Sequence, residues 1–333
     1  MKVIFSRKGF DSSYGGCSSI ILPKEMGSKM ISFPIPETHS KRGGIKADNI
    51  IYVDLYNKSL KDILSDLNKE IKDKYHVDPE IQNMQIKDTD GSLKQSFANR
   101  KYAALGQSGA AAGHLLNQKI KKGDLFLFFS TYQETRLDED KKIHYAEDKK
   151  KFHSIWGYMI VDDVFLINPK NNYITKIYYD DKNNRKEDKP KLIDSFTDYP
   201  GLKSHLHFKN RKGYEKNIKN IIICSTTFGT FNYTEELRLT RKDPNTNEVS
   251  NNLTDWKITN FWNNNLQNKI TMTYNDKNIK KELSKAKGHL HLEIKAASIG
   301  QEFVIDNYDI AIMKKWLKEI LPKKAHKRLG IKS

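Results

Sequence analysis

The sequence predicts an α+β fold built on a mixed sheet with flanking helices, one large domain carrying Lys- and Asn-rich insertions. Three observations point there. Short apolar runs of strand type outnumber helical ones. The two types mix without a regular strand–helix–strand period. The 333 residues are 11% aromatic, enough to build a core and too many for a disordered chain.

The elements follow in order. "KVIF" is the first strand. "GSKMISFPIPE" is a second, ended by Pro34 and Pro36. "SLKDILSDLNKEIKDKY" places Leu60, Ile63, Leu64, Leu67 and Ile71 at helical spacing behind Ser59, an N-cap residue. "LGQSGAAAGHLLNQKIKKGDLFLFF" reads as a glycine-rich turn, a short helix ending before Gly123, and a buried strand. Residues 134–153 are charged and aperiodic, which predicts a loop or flexible hairpin. "SIWGYMIVDDVFLI" gives one or two strands around a turn at Asp162 and Asp163. Residues 178–191 form an exposed insertion, and "NIIICSTTFGTF" is another strand. Residues 240–252 have loop chemistry. A helix is expected across 255–265 and a strand at "HLHLEIKA". An amphipathic helix closes a domain spanning 1–322, followed by a basic tail over 323–333.

Charge narrows the partners. The chain carries a formal net charge of +17, which suits a polyanion and nucleic acid above all. Cys17 and Cys224 are its only cysteines and neither lies in a CxxC, so no structural zinc site or disulfide framework is expected. A reducing cytoplasm is the natural compartment. No apolar run approaches a membrane span, and the N-terminal one is too short for a signal peptide.

Two stretches concentrate polar and flexible residues. In "SRKGFDSSYGG", Arg7 and Lys8 can hold phosphate and Phe10 can stack on a base. Asp11 is the first carboxylate, followed by Ser12 and Ser13. A solvated turn capped by Asp11 is the plainer alternative. In "GQSGAAAGHLLNQ", Gln107, His114, Asn117 and Gln118 surround a helix start, where exposed N–H groups suit an anion. His114 and Asn117, three apart, share a helical face. The glycines match neither a P-loop nor a dinucleotide fingerprint. Tight helix packing explains them equally well.

His205/His207 and His289/His291 are HxH pairs, which on a strand share a face. Neither HExxH nor a deaminase signature accompanies them, so contact with phosphate or a structural role is favoured over a metal. "SIGQEFVID" adds Gln301 and Glu302, the latter either a partner for a cation or a second active-site carboxylate beside Asp11.

The segments "SRKGFDSSYGG", "SFPIP", "GQSGAAAGHLLNQ…GDLFLFF", "HLHF", "LRLT" and "IGQEFV", in that order over nearly the whole chain, resemble the third type of nucleotide-modification-associated domain, a family of phages and bacteria. The resemblance implies work on modified nucleotides or modified DNA. It further suggests an anti-phage DNA glycosylase that excises glucosylated hydroxymethylcytosine from double-stranded phage DNA and leaves abasic sites, with no cofactor or metal. On that reading Asp11, Gln107, His114 and Asn117 are catalytic. Arg7, Lys8, Phe10, Ser12, Ser13, Gln118, His205, His207, Gln301 and Glu302 then bind substrate. An enzyme of hypermodified-base synthesis and a non-catalytic reader of modified DNA are the alternatives.

Overall fold

The computed structural model describes residues 1–10, 16–38, 43–168, 170–199, 202, 204–214, 219–243, 245–257, 270–272, 285–286, 289–293, 302–305 and 310–331. Its strands lie in mixed and antiparallel sheets with flanking helices, the α+β class. The chain divides into two compact units. Unit 1 comprises Met1–Phe33, Leu127–Tyr158 and Thr230–Ser333; unit 2 comprises Pro34–Phe126 and Met159–Gly229.

Unit 1 is organised on a mixed sheet in the order Phe152–Ile160, Leu125–Leu137, Val3–Arg7, Glu302–Ile305, Ile270–Met272. Val3–Arg7 runs antiparallel to Glu302–Ile305, with Phe5 opposite Phe303 and Ser6 opposite Glu302. Ser19–Ile21 adds a parallel pairing through Tyr132 opposite Ser19. Every residue of Val3–Arg7 and of Phe152–Ile160 is buried. Strands covered on both faces read as unbroken apolar runs, which is why "KVIF" announced itself. Trp256 sits among Phe5, Phe129 and Phe303, with ring centroids 5.1–6.1 Å away.

Unit 2 holds an antiparallel sheet in the order Arg185–Glu187, Tyr173–Tyr179, Asp163–Asn168, Asn220–Ser225, Ala103–Ser108. Its core packs Phe165, Ile167 and Ile222 against Phe196, Leu202 and Phe208. Ser59 caps the helix Leu60–Asp66 through a full capping box with Asp62. That helix is shorter than the apolar spacing allows: Leu67 is its C-cap, and Asn68 turns the chain with φ 53°.

Several expectations change. Of the loop or hairpin expected over 134–153, the structure shows the hairpin, with Leu125–Leu137 paired to Ile143–Tyr145. Asp255–Lys257 is a strand paired to His289–Glu293, not the start of a helix; residues 258–265 lie outside the described residues. The basic segment after residue 322 is the helix Lys323–Leu329, because Ala325, His326 and Leu329 supply a buried face. Among the described residues, no helix is long and apolar enough to cross a membrane.

Candidate functional site

The structure gathers the sequence-read residues into two groups, one in each unit. In unit 1 the opening strand leads into a tight passage at residues 8–10. Lys8 N–H donates to Phe129 O at 2.9 Å, and Trp156 Nε1 donates to Lys8 O at 3.1 Å. Ser130 Oγ donates to Phe10 O at 3.0 Å. Gly9 has φ +120°, and a Cβ there would stand 2.5 Å from Ser32 Oγ and 2.7 Å from Ser130 Oγ. Only glycine fits both the dihedral and the space. Phe10 is fully buried, edge-on to Phe33 at 5.4 Å. Its ring is a core contact here and presents no face to a base.

Around this passage unit 1 buries charge. Arg7 is 9% exposed, Lys8 6% and Arg238 5%, while the Glu302 carboxyl is wholly buried. Ser6 Oγ donates to Glu302 Oε1 at 3.3 Å, so the strand register joins the "SRKGFD" and "IGQEFV" segments from the two ends of the sequence. Arg238, from "LRLT", stands opposite Ser154 and holds Glu235 at 2.7 Å through Nη2. Among the described residues, its buried Nε and Nη1 find no hydrogen-bond acceptor. Buried guanidinium donors without a protein acceptor are costly unless an anion takes them. Burial, and then the charge of Arg7, push the His153 imidazole down to about 3. It is therefore neutral at physiological pH, and its Nδ1 accepts from Trp256 Nε1 at 3.1 Å. Arg238 and His153 were not singled out in the sequence; the "LRLT" motif carried the first, and nothing in the local pattern marked the second. Asp11, Ser12, Ser13 and Gln301 lie outside the described residues.

Unit 2 assembles the second group. His205 caps the short helix Leu206–Lys209, its Nδ1 accepting from His207 N–H at 3.3 Å. The HLH segment is thus a helix start rather than a strand, yet it turns both imidazoles toward one place. His76 and Asp78 meet them there. Among the described residues, His76, Asp78 and His207 offer donor atoms that all lie within 4.8 Å of one another. His205 Nε2 lies 3.5 Å from Asp78 Oδ1, and Gly106 N–H donates to the same oxygen at 2.9 Å. His207 Nδ1 donates to Asn220 Oδ1 at 2.7 Å, which leaves Nε2 as the lone-pair nitrogen. Its ring stacks on Tyr214 at 4.2 Å.

Electrostatics separates the two imidazoles of the HLH segment. Burial opposes charge on His205, but Asp78 and Glu80 outweigh it and raise its pKa. Burial, reinforced by His76, holds His207 well below the ordinary histidine value. Burial also raises Glu80, with His205 and Arg100 partly offsetting it; Arg100 Nη1 reaches Glu80 Oε2 at 2.7 Å.

The glycine-rich segment borders this group. Gln107 is 7% exposed on the strand Ala103–Ser108. The helix Gly109–Asn117 follows, with His114 half-buried and Asn117 exposed at its last residue; Gln118, half-buried, is the C-cap. At its N-terminus Gly109 N–H already donates to Lys219 O at 2.9 Å. The structure therefore brings His205 and His207 together with His76 and Asp78, which the sequence reading missed. An H-x-D spacing at 76–78 was the signal available. The side chains of His289 and His291 are not among those described; their backbone lies in the strand His289–Glu293.

This fold and its buried polar groups belong to a chain that matches the model of nucleotide modification associated domain 3 over residues 2–306. The protein is a member of that family, and the family describes a role in nucleotide modification. No curated protein and no solved structure matches the chain.

Proposed function

We propose that the protein is a DNA N-glycosylase that removes a modified cytosine, glucosylated hydroxymethylcytosine, from phage DNA as a defence against infection. The observation that carries this is the charge buried in unit 1: Arg7, Lys8, Arg238 and Glu302, from three of the family-like segments. Three cations with little solvent access suit the phosphates of a nucleotide. A buried carboxylate suits a sugar that turns cationic as its base departs.

The reaction needs little else. The target nucleotide leaves the duplex stack. The bond between the sugar C1′ and the base nitrogen stretches, and positive charge grows on the sugar. Glu302, together with Asp11 four residues beyond Arg7, stabilises that charge and orients water. As the C1′–N bond breaks its electron pair leaves with the base; a water oxygen bonds to C1′, and the proton it gives to the carboxylate is relayed through solvent to the departing base nitrogen. Double-stranded DNA is the partner, consistent with the +17 charge.

The test incubates the purified protein with DNA carrying glucosylated hydroxymethylcytosine, with unmodified DNA as control. Alkali then cleaves abasic sites, and mass spectrometry identifies any free base. Release from modified DNA alone supports the reading. Tight binding to modified DNA with no released base moves the assignment to a reader.

A further inference from the structure

We propose that His76, Asp78 and His207 of unit 2 form a binding site for one divalent first-row transition metal ion of the zinc class. The donor set is two imidazoles and one carboxylate, a combination that suits such ions and neither magnesium nor calcium. The donor atoms lie within 4.8 Å of one another. Tetrahedral ligands at about 2.0–2.2 Å from zinc stand about 3.3 Å apart, so side-chain rotations of order 1 Å close the site.

The surroundings are those of a prepared ligand set. Asn220 Oδ1 accepts from His207 Nδ1 at 2.7 Å, which fixes the tautomer with Nε2 as the ligand nitrogen. Tyr214 stacks on the ring at 4.2 Å and fixes its plane. Asp78 is held from behind by Gly106 N–H at 2.9 Å, with His205 Nε2 at 3.5 Å. Gly106 makes the assembly possible. A Cβ there would lie 2.3 Å from His207 Cδ2 and 2.7 Å from His205 Cε1. Three protein ligands leave at least one coordination position for water or a substrate oxygen. Imidazoles packed this closely to one another and to a carboxylate have a physical reason if a cation joins them.

The site stands apart from the glycosylase reading, and its test uses no activity. Untagged full-length protein is stripped with chelator, then titrated with Zn²⁺ and, separately, Co²⁺. One equivalent of metal per chain is expected, with a visible absorption band for Co²⁺ and a higher melting temperature with Zn²⁺. His76→Gln and Asp78→Asn are each expected to weaken binding at least tenfold. Asn220→Ala, which touches only the outer partner, is expected to weaken it about 10–100-fold. His76 has a part-exposed side chain, so its variant is the one least prone to misfold. Circular dichroism confirms folding in each case. Folded wild-type protein that binds neither ion overturns the proposal. So does binding that His76→Gln and Asp78→Asn leave unchanged, which would place the metal elsewhere.

Discussion

Replacing Gly106 by alanine tests the unit 2 cluster with a single methyl group. The added Cβ would stand 2.3 Å from His207 Cδ2, 2.6 Å from His207 Cγ and 2.7 Å from His205 Cε1. Ordinary carbon–carbon contacts lie at about 3.5–4.0 Å, so the overlap is over 1 Å with the His207 ring and about 0.8 Å or more with the His205 ring. A ring that moves aside gives up the contacts that hold it. His207 is stacked on Tyr214 at 4.2 Å and bonded to Asn220, and both imidazoles are buried. Overpacking of a close-packed interior costs about 1–3 kcal/mol, and two blocked rings place this variant at the upper end, about 3 kcal/mol. With an unfolding entropy of about 2.1 cal/mol/K per residue, a chain of this size then melts roughly 4 °C lower. Thermal unfolding followed by circular dichroism reads it directly. A Gly106→Ala protein that melts within about 1 °C of wild type would show that the histidines do not pack against this strand, and would refute the reasoning.

His153 gives a pH dependence with a definite sign. Its folded pKa of about 3 lies below the unfolded value of about 6.5, so the unfolded state binds the extra proton. Its contribution to stability is therefore complete above about pH 6.5 and is lost as pH falls toward 3, amounting to on the order of 4–5 kcal/mol. Denaturant melts at successive pH values should show this decline, and His153→Gln should flatten it. His205, whose pKa is raised, works in the opposite sense: its contribution is present below about pH 6.5 and fades as pH rises through its folded value. His205→Gln should therefore alter the neutral-to-alkaline limb and leave the acid limb in place. Ser59→Ala removes the cap of Leu60–Asp66 and should cost about 1 kcal/mol, visible as a shift in denaturant midpoint.

What the sequence revealed and what it hid follow from the range of the forces involved. Ser59 and the apolar spacing behind it act within one helical turn, so the helix start was legible while its end was not. "DLFLFF" and "NIIICS" are buried on both faces and announce themselves as strands. The segment at Asp255 misled because Trp256 and its polar neighbours fit a helix locally. Its pairing with His289–Glu293 is a long-range contact that local pattern does not encode. The same holds for the sites. Arg7, Lys8 and Glu302 stood out as polar residues beside strands, and the register of Ser6 with Glu302 joins them. His76 and Asp78 sit in an unremarkable "YHVDPE", and only the fold brings His205 and His207 to them. Arg238 was hidden in plain view, because an arginine in a short extended segment is usually solvated and this one is 5% exposed.

The most direct test of the account is base release from DNA containing glucosylated hydroxymethylcytosine by the wild type and by Glu302→Gln. Removing the carboxylate while keeping its shape should leave the fold intact. The account predicts free modified base and alkali-labile sites with the wild type, and at least a hundredfold slower release with Glu302→Gln. Release at an undiminished rate by Glu302→Gln would contradict the role given to the buried carboxylate, and no release by the wild type would contradict the glycosylase itself.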